Sequence, residues 1–373
     1  MVAKLLNILT GINRTAAPSS GSTILVHDLY GAMPDVRTIF LGRAPVDPAW
    51  KAAFDQVITL STTKRLHGPD FDLYLDELTR EVGALIEETQ PNVIHAQHLG
   101  FALSLAFTRA AGDVPIIAIA HGPDVMAAER SAWECELLRE VAASSAAIVA
   151  PTFALAERID RLTECRFTDR LTVIPWGIPL CDARESDQLP LAPGPLSLVH
   201  AGRLDANKST ITAIEAIAVS GQPHRLTIIG TGSEEKALRE QTHSLGIQDR
   251  VTFTPFLPRQ ELWQRLPEFD AFVFTTSGSE AFGLVAIEAQ AHGLPVVYSN
   301  IAGMAETLGQ AGTPFTAGDP ESLASALNQL ADDVHWRKAL IRAGLDNARQ
   351  HDITHTARQL ADLTTKVAST ALA

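Results

Sequence analysis

Residues 275–300 read TTSGSEAFGLVAIEAQAHGLPVVYSN: the end of an apolar strand, a loop of small residues, a short apolar helix, and a second strand after Gly293-Leu294-Pro295. A strand that passes through a tight loop into a helix and back into a strand is the βαβ unit of a parallel sheet. Ligands of such sheets collect beyond the carboxyl ends of the strands. Two carboxylates stand at that end, Glu280 in the loop and Glu288 eight positions later among Val285, Ile287 and Ala289. Burying a carboxylate in such company is costly unless it is hydrogen-bonded, and the hydroxyls of a sugar or ribose are suitable donors. The amides of Phe282, Gly283 and Leu284, with Ala281 before them, would open the helix, where aligned N–H groups and the helix dipole favour a diphosphate.

Working outward, the same rhythm fills the chain. Apolar runs at 5–9, 36–40, 93–96, 116–120 and 148–150 alternate with amphipathic stretches. The pattern then restarts at 196–200, 226–229, 251–253, 271–274 and 296–299. Alternation of this kind predicts two doubly wound parallel sheets, whose facing strand ends would make one deep cleft. Residues 173–194 concentrate Pro, Gly and polar residues and read as a linker, with the boundary near Ile178. The domains expected are 1–178 and 179–352, and three helical segments end the chain, at 320–332, 336–350 and 354–370. The last, within 353–373, is expected to return to the N-terminal domain.

Composition narrows the partners. Thirty Lys and Arg against 43 Asp and Glu leave a net charge of −13, with no basic surplus for nucleic-acid phosphates or anionic lipid. No apolar run reaches the ~18 to 20 residues of a membrane span, and MVAKLLNILTGIN at the start reads as a first buried strand. Three cysteines, Cys135, Cys165 and Cys181, have no C-x-x-C spacing and suit free thiols in a reducing cytoplasm.

Residues 198–209, LVHAGRLDANKS, carry a strand into a loop with Arg203 and Lys208. The loop is a near miss to a phosphate-binding P-loop, since Gly202 and Lys208-Ser209 are in place but Asn207 stands where the second glycine is required. Gly230-Thr231-Gly232 likewise begins a dinucleotide fingerprint that Glu235 fails to complete. In the first half, the run at 116–120 ends in His121-Gly122-Pro123-Asp124, again at the carboxyl end of a strand. There is no G-x-S-x-G elbow and no H-E-x-x-H.

Taken together, the E-x7-E spacing of Glu280 and Glu288, the following G-L-P-V-V, the Arg203/Lys208 loop and the H-G-x-D stretch resemble family 4 glycosyltransferases. The resemblance covers nearly all of the C-terminal half. It implies a GT-B fold and a retaining, metal-independent transfer of sugar from a nucleotide-diphosphate donor, which serves as co-substrate with no further cofactor. It implies that Arg203 and Lys208 grip the diphosphate, and Glu280 is taken with them and His121 as a catalytic residue. Glu288 would hold the ribose, backbone near Phe256 and Leu257 the base, with Gly202 beside the phosphates. His121 would hold a sugar hydroxyl rather than act as nucleophile.

Two departures bear on the acceptor. Where the family shows a Gly-Gly loop, this chain has Ala17-Pro18-Ser19-Ser20-Gly21-Ser22, still small enough for a phosphate to approach Ser20, Gly21 and Ser22. Trp176 and Pro179 replace residues common in the family's linker segment, so Trp176 and Asp124 are taken as acceptor-side residues. The acidic stretch LDELTREVGALIEETQ at 75–90 does not suit a lipid surface. A small soluble acceptor of bacterial specialised metabolism is expected, with uridine favoured over guanosine in the donor, in a monomer or homodimer. The alternative is a degenerate GT-B scaffold that only binds a nucleotide sugar or a partner.

Overall fold

The structure, a computed structural model, describes residues 5–16, 21–62, 70–180, 191–278 and 280–371. It divides into two compact units, Met1–Pro179 with Ile353–Ala373, and Leu180–Asp352.

The first unit is built on seven parallel strands: β1 (Leu6–Ala16), β2 (Val36–Val46), β3 (Gln56–Thr59), β4 (Val93–Gln97), β5 (Ile116–Ile119), β6 (Ala147–Ala150) and β7 (Leu171–Val173), in the order β3-β2-β1-β4-β5-β6-β7. β4, β5 and β6 are buried at every position, as strands covered by helices on both faces must be. The edge strands β3 and β7 were not visible as apolar runs. Their QVIT and LTV are only half-buried, because an edge needs one hydrogen-bonded side and little core. Helix Phe71–Thr89 turns Tyr74, Leu75, Leu78, Val82 and Ile86 inward and leaves Asp72, Asp76, Glu87 and Glu88 exposed.

The start of the expected linker proves to be interior. Ile174 donates its amide to Ala150 O at 2.9 Å, and Ile174, Trp176 and Ile178 are all buried. Helix Ile353–Ala371 covers this segment: Ile353 N donates to Ile178 O at 2.9 Å and Thr356 Oγ1 to Pro175 O at 2.8 Å. Pro and Gly in this stretch therefore shape a buried turn rather than a solvated tether.

The second unit has six parallel strands: β8 (Ser197–Ala201), β9 (Arg225–Ile229), β10 (Val251–Thr254), β11 (Ala271–Phe274), β12 (Val296–Ser299) and β13 (Thr313–Phe315), in the order β10-β9-β8-β11-β12-β13. Its core packs Leu198, Ile228, Val273 and Val297 against Ile214, Ile217, Leu323 and Leu327 of the flanking helices. Helices Pro320–Asp332 and Val334–Gln350 start where the side chains of Asp319 and Asp333 accept the amides of Ser322 and Trp336 at 2.9 Å. Strand order reverses between β1 and β4 in the first unit and between β8 and β11 in the second, the points where loops part and leave room for ligand. Among the described residues no helix is long and apolar enough to cross a membrane.

Candidate functional site

In the second unit the loops after β8 and β11 are stitched together by backbone carbonyls. Thr275 Oγ1 donates to Lys208 O at 2.8 Å, Thr276 Oγ1 to Asn207 O at 3.0 Å and Ser277 N to the same oxygen at 3.1 Å. This brings together two side chains 72 residues apart in sequence, and Lys208 Nζ donates to Glu280 Oε2 at 2.6 Å. Both are largely covered, at 21% and 18% side-chain exposure, so their attraction is screened less than at an open surface. A Cβ on Gly303 would lie 2.4 Å from Glu280 O, so that glycine lets the helix Ala302–Leu308 close on the Glu280 loop. Arg203 is not drawn into the pair. Its guanidinium is 68% exposed and sits 2.9 Å from Asp205.

Glu288 lies in helix Leu284–Ala291 and is buried, as its apolar neighbours required. Its charge is met by Arg259, whose Nε is 2.8 Å away and whose guanidinium stacks 4.4 Å from the Trp263 ring. The helix begins after Gly283, at φ 83°, directly behind the loop that carries Glu280, Ala281 and Phe282. Phe282 is buried, its ring 5.3 Å from His351, while Phe256 stays 57% exposed beyond β10 with Leu257 half-buried. Gly202 donates its amide to Ile229 O at 3.0 Å.

In the first unit His121 follows β5 and is buried, with Nε2 2.8 Å from Gln97 Oε1 at the end of β4. Its ring centroid is 4.3 Å from that of His98 and 6.0 Å from that of Trp176. Burial, reinforced by the neighbouring His98 and only partly opposed by Asp124, holds its pKa well below the usual imidazole range, so His121 is neutral. Both oxygens of Asp124 serve backbone amides, Leu99 N at 2.7 Å and His121 N at 3.2 Å, which makes this carboxylate the clamp of the His121 loop. Ser20 lies outside the described residues. Gly21 opens helix Gly21–Gly31, and Ser22 Oγ is 3.3 Å from His98 Nε2.

Gln97 and His98 were not singled out from sequence, although they stand at the carboxyl end of β4, beside the strand-order reversal, as His121 stands at the end of β5. Arg259 was passed over because nothing in PFLPRQEL ties it to a carboxylate 29 positions later. Among the described residues no three His, Cys, Asp or Glu side chains converge as metal ligands.

Buried imidazoles give the fold a predicted acid sensitivity. Burial lowers the pKa of His95 to about 3 and of His200 to about 4. A histidine whose pKa falls on folding binds a proton more readily when unfolded, so stability is complete above about pH 6.5 and declines as the pH drops toward those values. Each of His95 and His200 is expected to cost its unit about 2 kcal/mol between about pH 6.5 and 5, and the buried His121 adds a loss of the same sign in the first unit. Urea melts at the two pH values check this, and a midpoint that does not move would refute it.

Comparison with known proteins agrees with this architecture. Residues 29–181 match the family Glycosyltransferase Family 4 and residues 182–346 the family Glycosyl transferases group 1. The glycogen synthase of Mycobacterium tuberculosis is 32% identical over 261 residues, covering 65% of this chain and 61% of that protein. The D-inositol 3-phosphate glycosyltransferase of Nocardia farcinica is 35% identical over 195 residues, 48% of this chain and 42% of that protein. The chain thus spans about three fifths of the length of the first relative and less of the second. HepE of Anabaena, solved in complex with UDP and glucose, shares the fold with a TM-score of 0.78 at 19% identity, over 97% of this chain and 100% of that one. With adjoining matches that run from residue 29 to residue 346 on two parallel-sheet α/β units, the chain belongs to the family 4 glycosyltransferases of the GT-B fold.

Proposed function

We propose that the protein transfers a sugar, with retention of configuration, from a nucleotide-diphosphate donor to a small soluble acceptor, without a metal ion. The observation that carries this reading is the Lys208–Glu280 pair at 2.6 Å, set where the strand order reverses. A cation there can meet the charge that builds on a departing diphosphate, and a carboxylate beside it can accept hydroxyls of the sugar being transferred. Arg203, on an exposed stem, supplies a second cation, and Gly202 with the amides of Ala281 to Leu284 lines the phosphate path. Glu288 holds the ribose, and backbone at Phe256 and Leu257 meets the base. His121 takes a sugar hydroxyl, Ser20, Gly21 and Ser22 border the phosphates, and Trp176 and the Asp124-clamped loop form the acceptor side.

In the step proposed, the bond from the anomeric carbon to the phosphate oxygen breaks, and the acceptor oxygen bonds to the same face. The leaving phosphate takes the acceptor's proton. No protein nucleophile is needed. The exposed acidic face of helix Phe71–Thr89 favours a soluble acceptor over an anionic lipid surface, and the relative named D-inositol 3-phosphate glycosyltransferase is in line with a small polar acceptor. Uridine is preferred as the base, in line with the UDP bound to HepE. The free thiols of Cys135 and Cys165 suit the reducing cytoplasm.

Thermal shift and calorimetry with UDP, GDP, ADP and their sugar conjugates, with and without magnesium, test the proposal. Stabilisation by UDP and a UDP-sugar without metal is the expected result; binding by none of them would leave a scaffold that has kept the fold alone. Glu288→Ala is expected to weaken donor binding by roughly tenfold or more, since a buried charged hydrogen-bond acceptor is lost. Unchanged donor affinity would remove its ribose role.

A further inference from the structure

We infer that Gln97 is a positioning residue that locks His121 in the tautomer with its proton on Nε2, and that the lock is anchored on the C-terminal helix through Tyr30, His95 and Thr364. The inference rests on the proposed sugar contact of His121. Its basis is a buried chain of hydrogen bonds whose direction can be worked out from its ends.

The far end is Thr364 in helix Ile353–Ala371, whose Oγ1 lies 2.6 Å from Leu360 O. A carbonyl oxygen only accepts, so the hydroxyl proton of Thr364 is committed to it. Thr364 Oγ1 must then accept from His95 Nε2, 3.0 Å away, which puts the His95 proton on Nε2 and leaves Nδ1 an acceptor. Tyr30 OH, 2.7 Å from that Nδ1, donates to it in preference to Thr10 Oγ1 at 3.3 Å. A second end fixes the same direction. Thr10 Oγ1 donates to His95 O at 2.9 Å, so it too can only accept from the network.

Between these ends lies the Gln97 amide. Its Nε2 carries two protons and faces two committed oxygens, Thr10 Oγ1 at 3.0 Å and Tyr30 OH at 2.9 Å. The reverse amide orientation would place a carbonyl oxygen against two hydroxyls whose protons already point elsewhere. Gln97 Oε1 therefore faces His121, and at 2.8 Å it accepts the Nε2 proton. Nδ1 of His121 is left as the acceptor toward a hydroxyl. Every group in the chain is buried and neutral: burial lowers the pKa of both histidines and raises that of Tyr30. A glutamine suits this position because its amide cannot titrate. A glutamate there would draw a second proton onto His121 and turn an acceptor into a donor.

The test uses the whole protein labelled with 15N at histidine, because ring nitrogens of the two tautomers and of the imidazolium have distinct chemical shifts. Wild type is expected to show His121 protonated at Nε2 only. Gln97→Met, close in shape, is expected to release that preference and to lower kcat/KM by roughly tenfold, the scale of one lost neutral hydrogen bond. Gln97→Glu is expected to move His121 toward the imidazolium signature. Thr364→Val, remote from His121 and isosteric, is expected to disturb the His95 tautomer and, more weakly, that of His121, and it serves if the Gln97 variants fail to fold. An Nε2-protonated His121 of wild-type population in Gln97→Met, or in Thr364→Val where the Gln97 variants do not fold, would overturn the inference. Unchanged transfer by His121→Ala would instead overturn the sugar-contact role while leaving the tautomer result intact.

Discussion

Replacing Lys208 by alanine is expected to lower turnover by roughly 10²-fold or more, the scale seen when a fixed charge-stabilising donor is removed from a developing anion. The expectation follows from how the lysine is held. Its backbone oxygen accepts from Thr275, the preceding carbonyl accepts from Thr276 and Ser277, and its ammonium rests 5.8 Å from the Phe274 ring. A cation placed this firmly needs no reorganisation when charge appears on the leaving phosphate. Arg203, exposed and 2.9 Å from Asp205, is held less firmly, but its loss is also expected to reduce turnover about 10²-fold, because in the proposed reaction it would fold over the same diphosphate.

The lysine variant carries a second effect that must be separated. It leaves Glu280 largely covered without its partner, which costs stability whatever the chemistry. Lys208→Met combined with Glu280→Gln removes both charges and so restores neutrality without restoring the cation. Single-turnover rates at saturating donor, with melting curves for each variant, distinguish the two. Wild-type turnover in a folded Lys208→Ala protein would end its assignment to the diphosphate. Recovery of the rate in the double variant would show that Lys208 serves only to neutralise Glu280.

The parts of this arrangement that were legible in sequence are those that a local rule governs. Central strands such as IIAI at Ile116–Ile119 and AFVF at Ala271–Phe274 are covered on both faces and so must be apolar throughout, which is why both sheets were visible. The edge strands β3, β7 and β13 obey no such demand and were missed. Glu280, Lys208 and His121 stood out because each follows a strand, where ligands of parallel sheets gather. Their partners did not. The meeting of Lys208 with Glu280 depends on Thr275 and Thr276 reaching back to a loop almost 70 residues earlier, and that of Glu288 with Arg259 on the packing of two helices. Gln97 is a single amide in VIHAQ, and its meaning appears only when Tyr30, Thr10 and Thr364 close around it. The burial of 174–178, at the start of the segment read as a linker, was hidden for a related reason: Pro and Gly mark where the chain turns, not whether helix Ile353–Ala371 will cover the turn.

Gly230→Ala is expected to destabilise the second unit by roughly 3 kcal/mol or more, through steric overlap added to backbone strain. Gly230 and Gly232 looked like a broken dinucleotide fingerprint, but their surroundings give them another task. A Cβ on Gly230 would stand 1.9 Å from Gly202 O, and one on Gly232 would stand 2.3 Å from Leu204 O. These are backbone atoms of the loop that begins the path to Lys208, pinned in turn by Gly202 N on Ile229 O and Leu204 N on Thr231 O. Nothing at the end of a flexible side chain can swing away. Gly230 also has φ 147°, a conformation that a side chain rarely adopts. The loop after β8 would have to leave the loop after β9, breaking both hydrogen bonds and withdrawing Arg203 and Lys208 from their positions. The variant should therefore lose donor binding together with stability, with the first unit's buried histidine network unaffected. Chemical melts read by a probe in each unit test this. An unchanged second-unit transition, or a loss shared equally by both units, would show that the glycines serve something other than the close approach of these two loops.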